Sequence, residues 1–129
     1  MPITPDTSTE QTLKLLKQAQ KAINGNPTVV QIKAGPKTGH IDAYELSWKC
    51  PGHIRVFYCA EGTVIEQHSH PWREITCLLS GHVDVEMGDG EKLALKTGDS
   101  MIIEADKPHS GIYRQDSYGA VILFTGPAP

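Results

Sequence analysis

The sequence predicts an all-β fold, a sandwich or barrel of short strands, with one helix near the N-terminus. Two observations carry this prediction. From Val29 onward, short apolar runs recur about every ten residues and are separated by turn residues. No helical periodicity interrupts these runs. Strands spaced in this way, without intervening helices, are typical of β-sandwiches and β-barrels.

The helix is predicted over residues 7–24. Thr7 followed three residues later by Glu10 forms a capping box, and apolar residues then recur at helical spacing. Residues 24–27 read Asn-Gly-Asn-Pro, a combination that ends helices. We expect the leucines of this helix to pack on the outside of the barrel or on a partner subunit.

Strands are predicted wherever a β-like run lies between turn signals such as Ser-Gly, Gly-Asp-Gly and Thr-Gly-Asp. Two of them, 73–80 and 118–124, are apolar on both faces. Strands of this kind are covered on both sides, by the barrel interior on one and by a second sheet, the helix or another subunit on the other. The predicted strands are 29–33, 41–47, 53–60, 63–68, 73–80, 82–87, 92–95, 100–104, 108–114 and 118–124.

Length and composition indicate one domain and exclude several function classes. The 129 residues divide into an N-terminal extension, residues 1–28, and a β-barrel domain, residues 29–129. A net charge of −3 and scattered Lys and Arg residues argue against a nucleic-acid partner. No apolar stretch approaches the ~20 residues of a membrane span, so we expect no membrane association.

The compartment is predicted from the N-terminus and the cysteines. The segment MPITPDTSTEQ has neither a basic region nor an apolar core, so it does not resemble a signal peptide. The three cysteines, Cys50, Cys59 and Cys77, are odd in number, and no pair has the C-x-x-C spacing. Cys59 and Cys77 lie within apolar runs, where a free cysteine behaves as a small hydrophobic residue. These features favour a reducing, cytoplasmic environment.

Two segments concentrate side chains that bind metals. Residues 62–81 read GTVIEQHSHPWREITCLLSG and contain His68, His70 and Glu74. The later segment GDSMIIEADKPHSGIY contains His109. Residues i and i+2 of a strand point to the same face, so we expect the first two histidines to reach one point in space.

Pro71 follows His70 and favours a bend or a strand break. Such a bend allows Glu74 and His109 to complete a set of three imidazoles and one carboxylate. The sequence therefore predicts a metal site with four protein ligands.

The spacing of these residues resembles the two motifs of the cupin superfamily, over roughly residues 53 to 125. The first motif is matched by Gly62, His68, His70, Glu74 and Gly81, and the second by Gly98, Asp99 and His109. The second motif departs from the family pattern at Glu104, Asp106 and Tyr113, where the family usually has proline, glycine and often asparagine.

The resemblance implies an RmlC-like jelly-roll barrel, the double-stranded β-helix. It also implies one divalent transition metal ion, with a small molecule as the ligand of the protein. A homodimer is common among cupins, and strands that are apolar on both faces favour one here.

The ligand set does not identify the metal, because imidazole and carboxylate suit Fe, Zn, Ni, Mn and Cu. The coordination number is more informative. Four protein ligands around a tetrahedral zinc would close the site and make it structural. The same four around an octahedral metal leave two positions for a bidentate substrate, or for a substrate and dioxygen.

Further residues are assigned by strand parity. On a regular strand 108–114, Gly111 leaves room beside His109, and Tyr113 points its hydroxyl into the cavity as a hydrogen-bond donor or general acid. An ordinary core tyrosine is the alternative. Trp72 lines the mouth of the site or packs against it. The remaining histidines, His40, His53 and His82, are predicted to be surface residues.

These assignments favour a metal-dependent enzyme that acts on a small, oxygen-rich organic molecule. A dioxygenase-type reaction is the first candidate. A sugar-acid isomerase or ring-opening activity is a second candidate, because small bacterial cupins that act on unsaturated uronates look similar around EQHSHP and KTGDSMI. A non-catalytic protein that binds a small ligand and holds a structural metal is the alternative of a different class.

Overall fold

The structure is a computed structural model that describes Glu10, Lys14 and residues 28–32, 39–47 and 52–124. These described residues include ten β-strands. The strands are β1 (Thr28–Ile32), β2 (Ile41–Ser47), β3 (Gly52–Cys59), β4 (Val64–His68), β5 (Arg73–Ser80), β6 (His82–Met87), β7 (Lys92–Lys96), β8 (Ser100–Ile103), β9 (His109–Tyr113) and β10 (Ser117–Phe124).

The strands form two antiparallel sheets, consistent with a cupin jelly roll. The larger sheet has the order β1-β2-β3-β10-β5-β8, and the smaller has the order β4-β9-β6-β7. The segment between the two motifs folds as the β6–β7 hairpin, which pairs His82 with Lys96 at its open end. The central pairings of the larger sheet join β10 to β3 and β5, strands that are distant in the sequence.

The core lies between the inner faces of the two sheets. Strand residues alternate between the faces, so a strand that packs on this core contributes every second side chain to it. The pattern is clearest in β9, where His109, Gly111 and Tyr113 are buried and the residues between them are less so. The buried apolar cluster consists of Ala43, Phe57, Cys59, Leu78 and Ile103 from the larger sheet and Val83, Val85, Met87, Leu95 and Tyr113 from the smaller.

All of the predicted strands are present, with both ends within one residue of the predicted positions. The predicted helix lies outside the described residues, apart from Glu10 and Lys14, which are helical. The domain boundary at residues 28 and 29 stays a prediction. None of the described helical residues belongs to a helix that could span a membrane.

The outer face of the larger sheet retains exposed apolar side chains. Leu79 of β5 is 41% exposed and Ile102 of β8 is 56% exposed. The sequence predicted a cover for both faces of strand 73–80, and at these two side chains the outer face is open. The homodimer that was expected to supply such a cover stays a prediction.

Candidate metal centre

The three histidines of the two motifs lie together at one end of the barrel. His68 ends β4 and is paired in register with His109, which begins β9. Their ring centroids are 4.4 Å apart, and those of His70 and His109 are 5.0 Å apart. One ligand nitrogen from each of the three rings lies within 4.8 Å of the other two. This cluster could hold a metal ion.

The prediction that His68 and His70 converge is confirmed, but the reason given for it was wrong. His70 is not a strand residue, because β4 ends at His68 and β5 begins at Arg73. The connection between them contains Pro71 and turns the chain back toward the cluster. The backbone N–H of Asp106 donates to the carbonyl of His70 at 2.7 Å. The loop of the second motif, which contains Asp106, therefore positions the backbone of His70 in the first motif.

Each imidazole of the cluster is oriented by a backbone carbonyl. The Nδ1 atoms of His68, His70 and His109 lie 2.8, 2.9 and 2.8 Å from the carbonyl oxygens of Glu66, Trp72 and Lys107. A carbonyl can only accept a hydrogen bond, so each Nδ1 carries the proton. The Nε2 atom of each ring then carries the lone pair that a metal requires. This arrangement is the usual one for metal-binding histidines.

Glu74 approaches the cluster through His70. Its Oε1 atom lies 3.1 Å from His70 Nε2, and its Oε2 atom accepts a hydrogen bond of 2.6 Å from the hydroxyl of Thr76. Glu74 is not one of the three residues that form the compact cluster. Glu74 therefore borders the cluster through its contact with His70, and its role as a fourth metal ligand stays a prediction.

His109 is the most enclosed member of the cluster, at 6% exposed. Burial lowers the pKa of its imidazole, and the bond to the Lys107 carbonyl and the Glu74 carboxylate partly oppose that effect. A lowered pKa keeps the ring neutral, which is the form that binds metals.

Tyr113 lies deeper on the same face of β9, with Gly111 between it and His109 as predicted. Burial raises the pKa of its phenol well above the ordinary value, so the hydroxyl stays protonated. Tyr113 shares a side-chain hydrogen bond with Cys59, and burial raises the pKa of that thiol to about 12. Both groups are therefore neutral at physiological pH.

A cavity of about 400 Å³ opens from the histidine cluster into the barrel. Its wall is mainly apolar, and Trp72, Tyr113 and Thr76 contribute to it. The ring of Trp72 stacks on that of His70, with centroids 5.6 Å apart and planes inclined by 14°. Both residues that were predicted to contact a substrate, Trp72 and Tyr113, thus border the cavity.

Four polar or reactive residues that line this cavity were not predicted as site residues, namely Arg55, Cys59, Thr76 and Ser110. Arg55 and Cys59 line it from β3, and Thr76 lines it from β5. Thr76 shares the strand parity of Glu74, which was a usable signal. Arg55 and Cys59 share the parity of the buried Phe57, but nothing in the sequence showed that β3 faces the cavity beside the histidine cluster.

The other histidines behave as predicted and lie outside the cluster. His40 contacts Asp42 at 3.2 Å, His53 contacts Glu45 at 3.1 Å and His82 contacts Asp84 at 2.9 Å. Each is at least a quarter exposed, so these are surface polar contacts of small energetic value.

Comparison with known proteins agrees with this architecture. Three of the solved structures that are similar to the chain are KdgF from Halomonas sp., an RmlC-like cupin from Shewanella frigidimarina and a cupin-like protein from Thermotoga maritima. Their sequence identities are 19%, 15% and 19%, and their TM-scores are 0.64, 0.64 and 0.66. The alignments cover 75%, 78% and 78% of this chain, and 86%, 86% and 84% of the three structures.

At these identities the structural likeness shows the fold alone. No curated protein matches the sequence. The family model described as the cupin domain matches residues 55–126, which is more than half of the chain. The chain therefore belongs to the cupin superfamily.

Proposed function

We propose that this cupin is a metal-dependent enzyme that acts on a small, oxygen-rich organic molecule. One observation carries the proposal. Three imidazoles have their Nδ1 protons fixed by backbone carbonyls, and their ligand nitrogens converge beside a cavity large enough for a small molecule. Ligand cavities in proteins have volumes of about 300–1,000 Å³, and this one lies in that range.

The donor set fits one divalent transition metal held by His68, His70, His109 and Glu74. Such an ion would supply Lewis-acid polarisation of the oxygen atoms of a ligand or, if it is redox-active, activation of dioxygen. Thr76 would hold the carboxylate of Glu74 in place through its 2.6 Å bond to Oε2. The side chain of Glu74 is only 15% exposed, and a carboxylate with so little exposure is costly unless its oxygens have partners.

The roles of the cavity residues follow from their protonation states. The raised pKa of Tyr113 keeps its hydroxyl protonated, which suits a hydrogen-bond donor to a substrate oxygen rather than a general acid, because an efficient general acid has a pKa near the working pH. Trp72 stacks on His70 at the edge of the cavity, where it fixes the ring plane and offers an apolar surface to the substrate.

The open metal positions provide the decisive test of this proposal. The protein is purified without added metal, its metal content is measured, and oxalate and azide are titrated into the metal-loaded form by calorimetry. Four ligands on an octahedral ion leave two positions, so oxalate should bind without extracting the metal. The variants His70→Ala and Glu74→Ala should not form this complex if they have lost the ion. A metal that accepts neither oxalate nor azide would be structural, and the enzyme proposal would be wrong.

Within this class we favour a dioxygenase-type reaction. The support is the predicted pair of open positions in a mainly apolar cavity, which suits a substrate and dioxygen side by side. Nitric oxide reports such a vacancy in the iron(II) form by electron paramagnetic resonance. We expect nitric oxide to bind both alone and together with a ligand that occupies the second position. If the iron-loaded protein does not bind nitric oxide, the dioxygenase-type reaction is excluded.

A sugar-acid isomerase or ring-opening reaction is the second candidate. The segments EQHSHP and KTGDSMI support it through their similarity to small bacterial cupins that act on unsaturated uronates. Such a reaction needs a Lewis acid and a proton donor but no dioxygen. Turnover of an unsaturated uronate under anaerobic conditions, followed by its ultraviolet absorbance, would favour this candidate over a dioxygenase.

A further inference from the structure

Arg55 is the charged side chain of the cavity that the metal site leaves unexplained. It is the only Lys or Arg among the described residues that line the cavity. Its neighbours on the inner face of β3, Phe57 and Cys59, are buried. A half-exposed cation in a mainly apolar wall is the kind of polar group that orients a ligand in a binding cavity.

The sheet register places Arg55 opposite the carboxylate side of the metal site. Val121 of β10 pairs with Arg55 on one side and with Thr76 on the other. Thr76 and Arg55 are therefore two strand spacings apart, about 10 Å between their backbones. A small molecule whose one end lies at the metal near Glu74 can extend across Val121 toward the guanidinium.

Glu45 holds Arg55 without using all of its donors. The Nε atom of Arg55 lies 3.0 Å from Glu45 Oε1, and His53 Nδ1 contacts the same oxygen at 3.1 Å. Among the described residues, the two terminal nitrogens of the guanidinium have no partner. These terminal nitrogens form the planar edge that recognises carboxylates in a bidentate manner.

From this arrangement we infer that Arg55 binds an anionic group of the ligand, and that the substrate is an acid with a second anionic group besides its metal-binding oxygens. This inference rests on the proposed function, because it requires the ligand to be anchored at the metal. The apolar wall adds a physical reason, since an anion in such a cavity is costly unless it meets a cation.

Paired probes test the inference on the metal-loaded protein. Both 2-oxoglutarate and 2-oxohexanoate present the same chelating 2-oxo acid, but only the first carries a second carboxylate. We expect the wild type to bind 2-oxoglutarate about 10- to 100-fold more tightly by calorimetry, the range for a hydrogen bond between charged groups. Arg55→Gln should abolish this preference and leave the metal content unchanged.

Two further variants control the comparison. Arg114 is also an arginine bound through Nε to a carboxylate, 2.8 Å from Asp84, but it does not line the cavity. The variant Arg114→Gln should keep the wild-type preference. Glu45→Gln removes the counter-charge of Arg55 and should increase the preference. No change or a decrease in Glu45→Gln would speak against the inference.

Equal affinity of the wild type for the two acids, or a preference that survives in Arg55→Gln, would overturn the inference. Oxalate separates this failure from that of the proposed function. If oxalate binds to the wild type but the two oxo acids are not distinguished, the metal site stands and Arg55 has a structural role only. If oxalate does not bind, the proposed function fails and the inference fails with it.

Discussion

The hydroxyl of Thr76 is expected to set the metal affinity of the site although it does not contact the ion. It donates a hydrogen bond of 2.6 Å to Glu74 Oε2, while Glu74 Oε1 faces His70. Thr76→Val removes this bond and preserves the shape of a side chain that is only 4% exposed. Loss of a group that orients a metal ligand typically lowers affinity 10- to 100-fold, or about 1.4–2.7 kcal/mol.

A matched threonine distinguishes this effect from a general loss of stability. Thr63 is fully buried, and its hydroxyl donates to the carbonyl of His40 and accepts from the N–H of the same residue, away from the histidine cluster. Thr63→Val loses both of these buried hydrogen bonds and should destabilise the fold by about 2 kcal/mol, with no change in metal affinity. Both affinities are measured by competition with a chromogenic chelator, and stability by thermal unfolding of the metal-free proteins.

The reasoning would be refuted if Thr76→Val bound metal as tightly as the wild type. Either Glu74 would then not be a metal ligand, or it would bind the metal without needing the hydrogen bond from Thr76. A parallel measurement on Glu74→Gln decides between these, because an amide is a much weaker metal ligand than a carboxylate. Unchanged affinity in both variants would reduce the site to its three histidines.

Four further outcomes are expected. His109→Ala should lose the metal but keep the β-sheet circular dichroism signal, because the apolar core does not depend on the ion; full occupancy in this variant would exclude His109 as a ligand. Metal affinity should fall from about pH 7 to pH 5, since the imidazoles must be neutral and free histidine titrates near ~6.5. Burial lowers the pKa of His109, so part of the loss should extend below that value, and a pH-independent affinity would argue against a three-histidine site. Asp106 has φ 62°, so Asp106→Gly should raise the unfolding temperature, whereas Asp106→Val should cost about 1–2 kcal/mol; the opposite order would contradict the proposed strain. In a Cys50→Ser background at pH 8, iodoacetamide should modify half-buried Cys77 before Cys59, whose pKa is raised to about 12, and mass spectrometry showing the reverse order would contradict that burial.

The strands could be predicted from the sequence because their signals are local. Alternation of apolar residues defines each run, and turn residues end it. Gly81 shows how specific such a turn signal is. It has φ 119°, and a Cβ atom at this position would clash with the side chain of Ser117. Only glycine tolerates both the positive φ and the close approach of Ser117, so the sequence could locate the Ser-Gly turn before β6 at the correct residue.

Asp106 shows where a family pattern helps and where the chain departs from it. The position that usually holds glycine has a left-handed backbone, and aspartate is one of the residues that tolerates this conformation. The same residue donates its N–H to the carbonyl of His70. The left-handed backbone therefore persists although the residue is not glycine, and the loop still contacts His70 of the histidine cluster.

The protonation pattern of the histidines could not be predicted from their spacing. Motif spacing brings His68, His70 and His109 together, but each Nδ1 proton is directed by a backbone carbonyl two residues away. Whether a carbonyl points toward a ring depends on backbone angles at that residue. For His70 these angles belong to a connection rather than a strand, and strand parity gives no information about them.

Arg55 presents the opposite case, because its strand parity was informative but was not used in the prediction. Its alternation with Phe57 and Cys59 places it on the inner face of β3. A charged residue is nevertheless rarely assigned to a core, because an unpaired buried charge is costly. The missing information was the pairing of β2 with β3, which sets Glu45 directly opposite Arg55. With that pairing, the inward-facing Arg55 has Glu45 as its counter-charge. Because Glu45 contacts only Nε of the guanidinium, the two terminal nitrogens remain available to a ligand in the cavity.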